Sequence, residues 1–147
     1  MSSPISNALA RGASTTFALA LAAMPAASHA AQPVLGRWET QNHKAVVEIA
    51  PCGRHICGHI VKLLPAADAG IYNDVRNSDP KLRTRPLVGL PILLDYSDAG
   101  NEWKGHIYDP QYGNTYTSVM SRNPDGTLKI KGCFFIICKT QTWRPYP

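Results

Sequence analysis

The chain has 147 residues, which is enough for one hydrophobic core and too few for several large domains. Its 15 basic and 10 acidic residues give a net charge of +5, but the basic residues are spread along the chain, so we expect no nucleic-acid-binding surface. After residue 30, no apolar stretch reaches the roughly 20 residues that a membrane-spanning helix needs.

Residues 1–30 have the features of a secretory signal peptide. Arg11 supplies the basic start, residues 15–23 are apolar but too few to cross a bilayer, and residues 27–30 are the small-residue sequence Ala-Ser-His-Ala. We therefore expect cleavage after Ala30 and export of residues 31–147 as one domain.

Three short runs rich in β-branched residues follow, at residues 35–40, 45–49 and 56–64, and polar turns separate them. Residues 65–86 break this rhythm with a long polar segment, and such loops are either functional or mobile. Within it, Asp79-Pro80 favours one short helical turn, since Asp is a good cap and Pro suits the first helical position.

Residues 87–132 contain four β-rich runs separated by turn sequences at nearly even spacing, which is typical of an antiparallel meander. In the run at residues 103–108, the alternation predicts that Trp103 and Ile107 face the core and that Tyr108 faces solvent. Residues 139–144 form a last strand. About eight strands and no long amphipathic helix predict an all-β fold: a small antiparallel up-and-down barrel, because closure removes the exposed edges.

Four cysteines form two Cys-x4-Cys pairs, Cys52/Cys57 and Cys133/Cys138. In an exported protein an even number of cysteines predicts disulfides. Each pair brackets an expected hairpin tip, which favours the local pairings, although crossed pairings stay open if the two hairpins are neighbours. A zinc site of four thiolates is the alternative, disfavoured by the wide spacing and the oxidising compartment.

The two ends of the mature chain suggest how the barrel closes. Gly36 and Trp38 lie in the first strand and Arg144 lies in the last, so closure would let the Arg144 guanidinium stack on the Trp38 indole. A Gly-x-Trp start with a terminal arginine resembles the lipocalin and fatty-acid-binding (calycin) superfamily.

A longer series of motifs is similar to the DUF2147 family of exported bacterial proteins. In chain order these are Gly36-Arg37-Trp38, Cys57-Gly58-His59-Ile60-Val61, residues 83–93, residues 103–110, Tyr116 and Gln141-Thr142-Trp143-Arg144. The resemblance implies a calycin-like β-barrel in the bacterial periplasm or secreted from it. It implies no catalytic residues, because the activity of the family is undefined. One departure is that His59 and His106 stand where the family's Gly-Lys-Ile pattern has lysine.

The residues themselves indicate no catalytic constellation, metal site or cofactor. The mature histidines, His43, His55, His59 and His106, lack the spacing that preorganises metal ligands. The serines lack a Gly-x-Ser-x-Gly context, and most candidate acids, Asp95, Asp98 and Asp109, stand in turn-forming sequences where Asp caps the backbone. We therefore do not expect an enzyme.

Two hypotheses for the function remain, a ligand-binding protein and an interaction or structural module. In the first, the barrel binds a small apolar or amphipathic ligand, and the candidate interior residues are Trp38, Ile60, Leu93, Trp103, Ile107, Tyr116, Leu128 and Ile130. A fully packed core made of the same residues is the alternative to a pocket. In the second function, the chain is an envelope interaction or structural module. It would present the 65–86 loop, with its basic Arg76, Lys81, Arg83 and Arg85, and exposed aromatic residues to an envelope protein or an anionic glycan.

Overall fold

Residues 30–147 form eight antiparallel strands and almost no helix. The computed structural model describes residue 1 and residues 30–147, so the expected signal peptide lies outside the described residues. The strands are β1 (Gly36–Glu39), β2 (Ala45–Cys52), β3 (His55–Leu63), β4 (Pro91–Asp98), β5 (Trp103–Asp109), β6 (Asn114–Arg122), β7 (Leu128–Phe134) and β8 (Ile137–Pro145). Within this range, no helix is long and apolar enough to cross a membrane.

The strands close into a barrel in chain order. Each strand pairs with the next, and β1 pairs with β8 through Trp38↔Pro145 and Glu39↔Arg144. The predicted eight-stranded up-and-down barrel is therefore confirmed. Because the strands alternate in direction, the β1–β2, β3–β4, β5–β6 and β7–β8 connections share one end of the barrel, and the other connections share the opposite end.

Two local predictions on the β3–β4 connection had different outcomes. The helical turn exists as a 3-10 turn, Pro80–Leu82, whose cap Asp79 accepts a hydrogen bond from the Lys81 amide at 2.9 Å. The strand expected from residue 87 begins only at Pro91. Residues 87–90 instead form a turn in which the Leu90 amide donates to the Leu87 carbonyl and Gly89 adopts a φ of 91°.

Large side chains fill one end of the barrel interior. Trp38, Tyr96, Leu93, Met120 and Leu128 are all at most 2% exposed and belong to one hydrophobic cluster. Inward-facing glycines make room for two of them: a Cβ at Gly58 would lie 2.7 Å from the Leu93 side chain, and one at Gly105 would lie 2.8 Å from the Tyr96 ring. This end is a packed core.

The arginine that stacks on Trp38 is Arg122 of β6, and the predicted Arg144 contact is wrong. The Arg122 guanidinium lies 4.6 Å from the Trp38 ring centroid. Trp38 faces the interior opposite Pro145, whereas Arg144 is the next residue along β8 and its side chain therefore points to the outer face. Closure of the barrel does place the first and last strands side by side, as expected from the ends of the chain.

Both disulfides are local. Cys52–Cys57 closes the β2–β3 hairpin and Cys133–Cys138 closes the β7–β8 hairpin, which confirms the favoured pairing. The two hairpin tips lie at opposite ends of the barrel, so crossed bridges cannot form. All four cysteines of the chain lie in the described part and none is free, which leaves no thiolates for a zinc site.

Replacing Cys52 and Cys57 with serine should lower the free energy of unfolding by about 2 kcal/mol, because a bridge across so short a loop removes little entropy from the unfolded chain. Urea unfolding of the oxidised wild-type protein and of the double variant measures this difference. A loss of about 5 kcal/mol or more would contradict a purely local role for this bridge.

Candidate functional site

The end of the barrel opposite the packed core contains a cavity of about 580 Å³. Its inner wall consists of side chains that point inward from the strands, including Ile60, Ile107, Tyr116 and Ile130, and its mouth lies between the turns at this end of the barrel. Most of this wall is apolar. The barrel interior is therefore divided along its axis into a filled half and an open half.

Seven of the eight predicted interior residues lie in one of these two halves, whereas Trp103 neither lines the cavity nor is buried in the packed end. Ile60, Ile107, Tyr116 and Ile130 line the cavity. Trp38, Leu93 and Leu128 are buried in the packed end. Trp103 is half-buried near the chain start, and its indole N–H donates to the Gln32 carbonyl at 3.0 Å. Alternation along a strand carries no information on the level of a residue along the barrel axis.

Two polar residues of the wall, Gln141 and Lys139, were missed in the sequence. Along β8, Lys139, Gln141 and Trp143 alternate on the inward face, and all three line the cavity. The Gln141 side-chain oxygen accepts a hydrogen bond from the Trp143 indole at 2.8 Å. Alternation back from the buried Trp143 would have identified both residues.

Lys139 is the cation of the wall that lacks an acidic partner. It is paired with Gly132 across the β7–β8 hairpin, and its ammonium lies 5.9 Å from the centroid of the Tyr112 ring. Among the described residues, no carboxylate lies within 4.0 Å of it, whereas Lys44 and Arg76 at the same mouth both pair with Asp68. These cations hold the pKa of Asp68 below its usual range, chiefly through the hydrogen bond from Lys44.

The 65–86 loop forms the outer wall of the cavity, with Ala67, Ile71 and Val75 among its lining residues. It is anchored by the carboxylate of Asp74, which is fully buried. This carboxylate accepts hydrogen bonds from the Tyr108 hydroxyl at 2.6 Å, from the Asn77 amide at 2.7 Å and from the Arg85 guanidinium at 2.8 and 2.9 Å. A buried carboxylate is tolerated only with such partners, so the network fixes the loop on the barrel.

Tyr108 is buried rather than exposed, which corrects the prediction from alternation. The strand does point its side chain away from Ile107, but the loop covers it, and the Arg85 guanidinium lies 5.2 Å from its ring centroid. Burial, together with the adjacent Asp74 carboxylate, raises the pKa of the Tyr108 hydroxyl to about 12.

The basic residues considered for an interaction surface largely hold the loop in place. Arg85 binds Asp74, Arg76 pairs with Asp68 at 3.6 Å, and the Arg83 guanidinium donates to the Asn77 carbonyl at 2.8 Å. Lys81 is exposed, and among the described residues it forms no ion pair. Two of these four basic residues, Arg85 and Arg76, are therefore paired with carboxylates of the loop, whereas Arg83 and Lys81 are not.

The four histidines of residues 30–147 are exposed, and none lines the cavity. His43 contacts Glu39, and the His55 ring lies 2.8 Å from the Ser97 hydroxyl. In residues 30–147, the closest grouping of potential metal ligands is Cys52, Cys57 and Asp95, but both sulfurs are bonded to each other in a disulfide and offer no thiolate.

Comparisons with known proteins agree with this architecture. A family model described as "Uncharacterized protein conserved in bacteria (DUF2147)" matches residues 36–144. Among solved structures, protein HP1028 from the human pathogen Helicobacter pylori, which is described as belonging to the lipocalin family, is similar with a TM-score of 0.68 and 24% sequence identity. The match covers 78% of this chain and 84% of that one, and it shows a shared fold. No curated protein matches.

Replacing Gly113 with alanine should destabilise the protein by about 3–4 kcal/mol, because a left-handed φ and overpacking both oppose the added methyl group. Gly113 has a φ of 70°, and a Cβ there would lie 1.8 Å from the Arg76 carbonyl oxygen, where the β5–β6 turn contacts the loop. Gly126 is the matched control, since its φ is 85° but the nearest atom to a Cβ is 3.9 Å away. Its alanine variant should lose only about 1–2 kcal/mol. Equal losses in urea unfolding would show that the loop contact is unimportant.

Replacing Tyr108 with phenylalanine should reduce the loss of stability at alkaline pH. The folded protein retains the Tyr108 proton up to a pKa of about 12, whereas the unfolded chain releases it near the ordinary value of 10.0. The unfolding free energy therefore falls as pH rises through this interval. The variant lacks this contribution and keeps that of Tyr96, whose pKa burial also raises. Urea unfolding from about pH 9 to 11.5 measures the two slopes; identical slopes would contradict the assignment.

Proposed function

This chain belongs to the DUF2147 family of bacterial proteins, and we propose that it is a non-enzymatic exported protein that binds a small amphipathic ligand inside its barrel. The observation that carries this proposal is the cavity of about 580 Å³ in the open half of the barrel. Ligand sites of roughly 300–1,000 Å³ are typical for small molecules, and they combine an apolar wall with a few polar groups. The lipocalin-like fold supports this function, because such barrels enclose ligands.

The distribution of polar groups indicates how the ligand lies. The inner wall offers apolar side chains such as Ile60 and Ile130, which favour an alkyl or ring system. Lys139 lies among the wall residues on the side of the mouth and has no acidic partner within 4.0 Å among the described residues. A ligand with an apolar body and an anionic or strongly polar end would satisfy both features.

The acidic residues near the cavity serve structural roles, which supports a binding rather than a catalytic function. Asp68 pairs with Lys44 and Arg76, and Asp109 caps its turn by accepting a hydrogen bond from the Gln111 amide at 2.8 Å. Neither carboxylate is left as a free base facing the apolar wall. Export rests on the signal-like residues 1–30, and the two disulfides are compatible with an oxidising compartment such as the periplasm.

Gly132→Met should lower the affinity for anilinonaphthalenesulfonate, an amphipathic anionic dye, by about tenfold, which corresponds to about 1.4 kcal/mol. A side chain at this position enters the cavity, since a Cβ there would lie 3.3 Å from the Ile107 Cγ2 atom. Lys131→Met is the matched control, because it places the same side chain on the outer face of the same strand. Fluorescence titration measures both affinities, and equal losses would contradict binding in the cavity.

The natural ligand is sought by native mass spectrometry of the protein purified from the periplasm, compared with its denatured mass. Extra mass that disappears on denaturation identifies a bound molecule, and the intact mass also reports cleavage after Ala30. A ligand-free mass together with no dye binding by the wild-type protein would refute the proposed function.

A further inference from the structure

The tip of the β7–β8 hairpin exposes four consecutive large apolar residues, Phe134, Phe135, Ile136 and Ile137. Phe135 is 88% exposed and Ile136 is 96% exposed, and the two residues that flank them are also more than half exposed. Scattered apolar residues are normal on a protein surface, but a contiguous apolar cluster indicates a contact with a protein or a membrane.

Phe135, in the turn of this tip, has a backbone conformation that favours glycine. Phe135 and Ile136 form a two-residue turn between the paired Phe134 and Ile137. Phe135 has a φ of 52°, a left-handed conformation that is disfavoured for a bulky residue and is usually occupied by Gly, Asn or Asp in such hairpins. Neither of the two turn residues lines the cavity. Their side chains therefore contribute neither to the core nor to the ligand-binding wall.

The base of the tip is clamped and positively charged. The Cys133–Cys138 disulfide joins the two strands directly beneath the four apolar residues. The whole hairpin, residues 128–145, contains Lys129, Lys131, Lys139 and Arg144 and not one acidic residue. Lys129 and Lys131 are exposed on the outer face of β7. An apolar tip with two lysines, Lys131 and Lys139, close to its base combines the two features that attract a protein to an anionic lipid surface.

We propose that this hairpin tip docks the protein on a bilayer that contains anionic lipids. Phe135 and Ile136 insert between the headgroups, and Lys131 and Lys139, the two basic residues of the hairpin nearest the tip, lie on the side of the lipid phosphates. Phe134 and Ile137 lie at the border of the cavity, so docking would also turn the mouth of the barrel toward the membrane. This docking proposal does not depend on the proposal that the barrel binds a ligand.

Charge favours a membrane over a second copy of the chain as the occupant. Two hairpins that met tip to tip would bring together the four lysines nearest the two tips, Lys131 and Lys139 of each copy, since no acidic residue of the hairpin lies among them. An anionic lipid surface offers the opposite charge to each of them.

Flotation with vesicles tests this proposal on the mature, oxidised protein. We expect it to float with vesicles of phosphatidylcholine and phosphatidylglycerol and far less with phosphatidylcholine alone. Phe135→Gly combined with Ile136→Ser should lower partitioning by about tenfold or more, because both inserted side chains are lost. The glycine suits the left-handed backbone, so the fold should persist, and near-ultraviolet circular dichroism checks this.

Leu35→Ser is the matched control, since Leu35 is 51% exposed and lies at the opposite end of the barrel. It should leave flotation unchanged. Lys131→Gln, which removes a charge near the base of the tip, should weaken flotation and reduce its sensitivity to salt. Absence of wild-type flotation, equal binding to uncharged vesicles, or unchanged flotation of the tip variant would overturn the proposal. A dimer in sedimentation that the tip variant abolishes would assign the tip to a second copy instead.

Discussion

The buried carboxylate of Asp74 is the interaction on which the shape of the site depends. A carboxylate without water requires several donors, and Tyr108, Asn77 and Arg85 supply them from two parts of the chain. Tyr108 belongs to the barrel, whereas Asp74, Asn77 and Arg85 belong to the 65–86 loop. The Asp74 carboxylate therefore joins the loop to the barrel. This joint supports the outer wall of the cavity, to which the loop contributes Ala67, Ile71 and Val75.

The barrel uses one inward face for two purposes. At the closed end, glycines at positions 58 and 105 let Leu93 and Tyr96 occupy the axis, and the interior becomes a packed core. At the open end, Gly132 has a neighbour at 3.3 Å on one side, and the adjoining space is left empty. A chain of this size thus retains a core that stabilises the fold while it encloses a cavity large enough for a small molecule.

The fold was predictable from the sequence because short β-rich runs are separated by turn sequences, and some of them, such as β5 and β7, carry a clear period-two pattern. The local disulfides followed from the same hairpins. Three features were not predictable, and all depend on residues that are distant in the sequence. Tyr108 is buried by a loop that precedes it by more than twenty residues, Arg122 rather than Arg144 meets Trp38, and Leu93 packs closely over Gly58 of the neighbouring strand. Alternation along a strand predicts which face of the sheet a side chain lies on, but the residues that it contacts are known only from the three-dimensional structure.

The pairing of β1 with β8 has a consequence for the order of folding. Every other pair of strands is adjacent in the chain and forms across a short turn or one loop, whereas this seam joins residues about one hundred positions apart and pairs only two residues of each strand. Loop closure opposes such contacts more strongly than it opposes hairpins, so we expect the meander to assemble first and the seam to form last. The Tyr146 amide, which donates to the Arg37 carbonyl at 2.9 Å, then secures the seam from the end of the chain. In the native state, transient opening of the barrel should begin at this seam, at its narrowest band of hydrogen bonds.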